Sequence, residues 1–289
     1  MVRKVASLVA FSLAALTLVG CPDDSDAPSK KHGAKKENAA KKHEPAKAEA
    51  SAEAKAAKPA GGEGKFGTAK ITGVVDFTGT PPEMKVPAAR KNAEFCKDKE
   101  VKYNAVIVNN GKLQDVLVRI VNGGVKGTWP TKAGEIEQKD CMYAPRMQGV
   151  VTGSDLTIKN TDGTMHNVHT YKATEAWFNQ GQPKGSDAIK KEMPDDGMVV
   201  KFTCDVHPWM HGFVVVTDHP FFAVSKADGT FEIDKVPAGD YDMEAWHSEF
   251  GLKKGHVKVE DGKTAEIKFT YDGKEPEPAE NKDELKGLF

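Results

Sequence analysis

Cys204-Asp205-Val206-His207-Pro208-Trp209-Met210 decides how this chain is read. It lies between two β-branched runs, Met198 to Cys204 and Phe213 to Thr217. Strand, tight loop and strand make an antiparallel pair. The loop carries a thiol, an imidazole and a thioether in C-x-x-H-x-x-M spacing. A second polar cluster, Met165-His166-Asn167-Val168-His169, stands upstream at the start of another expected strand.

One thiolate, two imidazoles and a weak thioether form the donor set of trigonal electron-transfer copper sites. Soft sulfurs favour Cu(I), and imidazoles keep Cu(II) acceptable, so little rearranges when one electron moves. Cys204, His207 and Met210 converge from one turn, and His166 must come from elsewhere in the chain. His169 falls on the opposite face of its strand from His166 and is the weaker ligand candidate. His211 reads as a rim residue. His219 and His247 fit a surface or interface role, a second metal site being the alternative. Trp209 fits core packing and an electron-transfer patch equally.

Outward from these segments the pattern stays β. Short runs (Ile71 to Phe77, Val106 to Val108, Val116 to Val121, Asp155 to Lys159) alternate with turn signals. Asn110-Gly111 predicts a hairpin. Asp228-Gly229, Pro237-Ala238-Gly239 and Asp261-Gly262 punctuate further strands, and only Asp187 to Lys191 suggests a helical turn. The expected class is all-β, with turns spaced as in sandwiches. Lys and Arg number 41 against 42 Asp and Glu, so no net field recruits nucleic acid. Without G-x-S-x-G, H-E-x-x-H or a phosphate-binding glycine loop, no enzyme activity is expected.

The two ends read differently. Arg3 and Lys4 precede a short apolar stretch, Val5 to Val19, which fits a signal peptide over 1–20 better than a membrane span. Leu18-Val19-Gly20-Cys21 resembles the bacterial lipobox, which implies acylation of Cys21 and an anchor in the cell envelope, periplasm-facing or on the outer membrane. Residues 22–65 hold twelve Ala, ten Lys and eight acidic residues, with no Val, Ile, Leu, Met, Phe, Trp or Tyr. Such a segment cannot build a core, so 21–65 is expected to be a tether, roughly 35–40 Å across as a coil. His32 and His43 are solvated within it. Residues 274–289 read as an acidic, disordered tail.

The ligand segments resemble the cupredoxin family, in particular its amicyanin-type members, which carry H-N-V-H and C-x-x-H-P-aromatic-M. The resemblance implies a Greek-key β-sandwich over 66–218. It makes His166, Cys204 and His207 equatorial ligands of one copper ion, Met210 the axial ligand, and Asn167 a hydrogen-bonding brace to the ligand loop. Met165 departs from the pattern, which has Pro there. The stretch 219–273, with Asp228-Gly229-Thr230-Phe231-Glu232-Ile233 and Val236-Pro237-Ala238-Gly239-Asp240-Tyr241, resembles the small prealbumin-like sandwich called carboxypeptidase regulatory-like. That module is short of strands, so Ile71 to Phe77 or the other domain is expected to complete it. With Cys21 given to lipid and Cys204 to metal, Cys96 and Cys141 remain in an oxidising compartment and are expected to pair. Closing their loop stabilises by roughly 4 kcal/mol in the chain-entropy model. The implied function is that of a membrane-anchored copper protein, cycling between Cu(I) and Cu(II) and passing single electrons between partner proteins. The alternatives are copper delivery without electron transfer, or an envelope-binding role through the second module.

Overall fold

The computed structural model describes residues 63–88, 93–103, 105–121, 125–194 and 197–275. The signal segment, Cys21, His32, His43, the tether up to residue 62 and the tail beyond Glu275 lie outside the described residues. Among the described residues the protein is all-β, and no helix is long and apolar enough to cross a membrane.

Four sheets form two sandwiches. In the first, β5 (Gly134–Lys139), β6 (Met142–Ala144), β8 (Asp155–Asn160) and β11 (Ile189–Glu192) make one sheet. The facing sheet runs in the order β10 (Glu175–Gln182), β9 (His166–Lys172), β12 (Val199–Thr203), β13 (His211–Thr217) and β7 (Met147–Val151). Their inward positions alternate as half-buried strands require: Leu156 and Ile158 on β8, and Val200 and Phe202 on β12, enter one buried core. Each such side chain contributes about 1.5–3 kcal/mol on burial.

In the second sandwich, β1 (Ala69–Phe77) is the centre of a sheet. It pairs with β15 (Thr230–Val236), β18 (Thr264–Tyr271) and the short hairpin of β2 (Val108–Asn109) and β3 (Lys112–Leu113). The other sheet runs β14 (Phe222–Val224), β4 (Leu117–Val121), β16 (Gly239–His247) and β17 (Gly251–Val259). Ile71, Val118, Phe231, Met243, Phe269 and others form its core.

This pairing differs from the expected division at 219. Strands β1 to β4 fall within the stretch assigned to the copper domain, yet β1 and β4 hydrogen-bond to strands of the C-terminal module and the β2–β3 hairpin extends β1; β1, Ile71 to Phe77 among its residues, completes that module as expected. Strands β14 to β18 alone leave a gap between β15 and β18, and β1 fills it, antiparallel to one and parallel to the other. The first sandwich, β5 to β13, is therefore inserted between β4 and β14 of a host sandwich. Those two strands are themselves paired, Leu117 opposite Val224.

Two local expectations also change. Asn110-Gly111 does turn a hairpin, with both residues at positive φ as a two-residue loop requires. Its second arm is only β3, because the chain leaves for the other sheet at β4. Asp187 to Lys191 holds no helical turn. Ile189 is buried there, and β11 pairs with β8 over Ile189–Glu192.

A third cluster joins the sandwiches. Met147, Val199, Phe213 and Val215 of the inserted sandwich pack with Leu117 of the host, and Phe222, Val224 and Trp246 lie against them. The segment between β1 and β2 also crosses over, burying Cys96 and Val101 in the core of the inserted sandwich.

Candidate metal centre

Three strands and one loop place the donor atoms. β9 pairs with β12 so that Thr203 faces His169. Cys204, one residue beyond β12, therefore emerges beside the start of β9, where the Asn167 amide donates to its Sγ at 3.5 Å. The last pair of the β12–β13 hairpin is Thr203 with His211, which closes 204–210 into a loop. Within it the Met210 amide donates to the His207 carbonyl at 2.9 Å. Tyr143 sits beneath, its hydroxyl 3.0 Å from the carbonyl oxygens of both Asn167 and Thr203. It thus ties together the two strands that carry His166 and Cys204.

The donors converge. His166 Nδ1 lies 2.8 Å from His207 Nδ1, and Cys204 Sγ lies 3.7 Å from the same His207 atom. The three donor atoms are all within 4.8 Å of one another and all three residues are buried, His207 being only 3% exposed. Met210 is fully buried at the end of the same loop, in one core cluster with Cys204 and Trp209.

Charge follows from these contacts. Burial opposes a Cys204 thiolate, but hydrogen bonds from His166, His207 and the backbone amides of Asn167 and His207 outweigh it, pulling the thiol down to about 6. A thiolate at neutral pH is the form that binds metal. Burial likewise opposes an imidazolium at His166, yet Asp162 and Cys204 together raise its pKa. Asp162 Oδ2 is 2.8 Å from His166 Nε2 and accepts from it, so Nδ1 is the atom left to face Cys204 and His207. Asp162 itself is held low: burial works against its charge, and His166 with the amides of Cys141 and Asp140 overcomes this.

This donor set fits a soft or borderline ion: one thiolate sulfur and two Nδ1 atoms aimed at one another in a buried pocket. Asn167 braces the loop, its Oδ1 accepting from the Asp205 amide at 2.6 Å and its Nδ2 donating to Asp205 Oδ2 at 3.0 Å. The other histidines lie outside the donor group. His169 Nδ1 contacts Asp205 at 2.9 Å on the outer face of β9. His211, beyond the loop, is pushed down to about 4 by burial and by Lys201 and Arg146. His219 sits where the sandwiches join, 3.1 Å from the Ile120 carbonyl. His247 is enclosed in the host, stacked on Phe250. Trp209 is buried, its ring 5.1 Å from His207 and its Nε1 donating to the Cys141 carbonyl at 2.9 Å, so packing is its observed role. Cys96 and Cys141 are joined by a disulfide.

Asp162 and Tyr143 escaped the sequence reading. An aspartate four residues before a histidine is too common to single out, and a tyrosine beside a cysteine has no metal spacing.

Residues 201–267 match the family profile of polysaccharide lyase family 4, domain II. The match runs from β12 into β18 and so touches both sandwiches. The profile that matches there is not the carboxypeptidase regulatory-like one expected for the second module. No curated protein matches the chain. Among solved structures, a purple cupredoxin from Nitrosopumilus maritimus is similar at 24% identity, over 29% of this chain and 99% of its own, with a TM-score of 0.26. An amicyanin variant in its Cu(I) form is similar at 24% identity, over 29% and 81%, with a TM-score of 0.27. A copper-containing nitrite reductase from Thermus scotoductus SA-01 is similar at 16% identity, over 34% and 25%, also at 0.27. The chemistry of the site is read from its own side chains.

Proposed function

We propose that this chain is a type 1 (blue) copper protein that binds one copper ion and carries single electrons between redox partner proteins. In this reading lipid on Cys21 anchors it in a bacterial cell envelope. The observation that carries the proposal is the convergence of Cys204 Sγ, His166 Nδ1 and His207 Nδ1 in a buried pocket, with Met210 in the same loop. His166, Cys204 and His207 would hold the ion, and Met210 would be the axial thioether. Bound there, copper supplies a one-electron Cu(I)/Cu(II) couple.

The chain's own part is preparation. The imidazoles and backbone amides keep Cys204 ionised, Asp162 fixes which nitrogen His166 presents, and burial excludes water. Four protein donors leave no position for a substrate, so the role is electron transfer rather than catalysis. Met165 and Val206 sit beside ligands in the sequence and are 48% and 47% exposed. They offer apolar surface for a partner close to His207.

The test is the visible spectrum of the full chain with one equivalent of Cu(II). An intense blue colour is expected, from thiolate-to-copper charge transfer, and Cys204→Ser abolishes it. Colour retained in that variant would sink the assignment. For the anchor, Cys21→Ala is expected to lose acyl label in cells, and label retained there overturns it.

A further inference from the structure

One residue outside the donor set touches both sides of the metal centre through its backbone. The Cys141 amide donates to Asp162 Oδ2 at 2.8 Å, and the same oxygen takes the His166 Nε2 proton at 2.8 Å. The Cys141 carbonyl accepts from Trp209 Nε1 at 2.9 Å, and that indole lies against His207. Asp140, the residue before it, donates its amide to the other carboxylate oxygen at 2.8 Å. Asp162 thus spends both oxygens on one turn.

That turn, between β5 and β6, is costly by itself. Asp140 and Cys141 stand at φ 52° and 60°, in the left-handed region, with no glycine in either place. Such conformations cost L-residues roughly 1–2 kcal/mol and persist where the surroundings over-determine them. Three restraints do so here. Asp162 accepts both amides, Lys99 Nζ pairs with the Asp140 carboxylate at 2.9 Å, and the disulfide binds Cys141 to Cys96. The segment bearing Cys96 also seats Phe95 on Gly163, where an added Cβ would come within 2.7 Å of its ring. The Asp162-Gly163 turn is therefore pressed from above by the segment that the disulfide secures.

We propose that Cys141, locked by its disulfide to Cys96, is a positioning residue of the metal centre, aiming His166 through Asp162 and seating Trp209 against His207. It touches no donor atom of the ligand set and acts through the groups that do. This inference rests on the copper reading above. It goes further in giving the disulfide a task at the site beyond the stability of the closed loop.

The test uses the full chain loaded with copper, in three variants. Asp162→Asn removes the charge that favours Cu(II), so it raises the reduction potential and speeds Cu(II) loss to a chelator at least tenfold. The double variant Cys96→Ser, Cys141→Ser keeps that charge but frees the turn, and it speeds Cu(II) loss in the same direction. Asp187→Asn changes net charge equally at an exposed carboxylate outside this turn, and it leaves both readings at parent values. The Hε2 proton of His166 in the metal-free protein supplies a reading that needs no copper. It is visible by NMR in the parent and lost to exchange in Asp162→Asn. Should the serine variant not fold, reduction of the Cys96–Cys141 bond in the folded metal-free chain, read at this same proton, decides in its place. A blue parent whose disulfide-free form keeps the parent's release rate and His166 proton, or whose Asp162→Asn form keeps its potential and release rate, overturns this inference and leaves the copper reading standing. A parent that binds no copper overturns both.

Discussion

Met210 is the side chain whose replacement should change the site without emptying it. In the proposed copper site the axial thioether would be weak, and the equatorial donors would carry most of the binding. Met210→Gln is therefore expected to keep copper and lower the potential, because a harder oxygen favours Cu(II). Met210→Leu keeps copper and raises it. Voltammetry of both beside the parent checks this, and two unchanged potentials would remove Met210 from the axial position. A second single-residue effect belongs to His247, which is enclosed in the host sandwich. Burial, aided by Arg146 and opposed by Glu275, drives its pKa down to about 3. Its Nε2 is buried without a partner, so the neutral ring is the form that packs. The unfolded chain, with an ordinary histidine near 6.5, then binds more protons between pH 6.5 and 3. Stability is present in full above pH 6.5 and falls by a few kcal/mol as pH drops toward 3, and His219, also shifted down by burial, adds in the same sense. Urea melts from pH 7 to 4 should show this slope, and His247→Phe should flatten it. At this scale the sequence was most informative where chemistry demands a spacing. Cys204 and His207, which the fold brings together with His166, are legible because one short loop carries both. Asp162 is not, because its role depends on a turn at 140–141 that lies twenty residues away along the chain.

Strands show the opposite balance. Ile71 to Phe77 was recognisable as a strand from its alternation, but alternation says which face is buried and not which neighbour is paired. What pointed β1 to the C-terminal module was that module's shortage of strands, not the pattern of β1 itself. β11 was mistaken for a helical turn because its run of Ile and Lys is short and one-sided. β4 and β16 carry a feature visible only after pairing. Arg119 stands directly opposite Glu244, and their side chains meet at 3.0 Å, both nearly enclosed. Arg119→Leu strands a buried carboxylate and should cost about 3–5 kcal/mol, whereas Arg119→Met with Glu244→Leu should recover most of that. Equilibrium urea denaturation of the three proteins separates the cases. Equal losses in single and double variants would mean that packing, not charge pairing, sets the cost. Gly149 on β7 is a second strand-level test. A Cβ there would meet the Phe222 ring of β14 at 2.4 Å, so Gly149→Val should loosen the seam between sandwiches by about 1–3 kcal/mol.

Taken whole, the described residues form one sandwich inserted into the sequence of another. The seam of Leu117, Phe213, Val215 and their neighbours, together with the crossing segment that ends in the Cys96–Cys141 bond, makes independent unfolding unfavourable. Calorimetry of the full chain should show a single transition for the folded part, and two resolved peaks would mean the sandwiches melt separately. No periodicity along the sequence announces an insertion, because the strands flanking it, β4 and β14, are a hundred residues apart and meet only in space. The position of β1 also decides where mechanical load goes. Tension arriving along the N-terminal segment would first meet Gly64, whose amide donates to the Thr128 carbonyl, and Gly67, whose amide donates to the Lys235 carbonyl. Beyond them β1 lies between β15 and β18, so the host sheet would take the pull across two ladders of hydrogen bonds. A taut N-terminal segment would load that sheet before the strands that bring Cys204, His166 and His207 together.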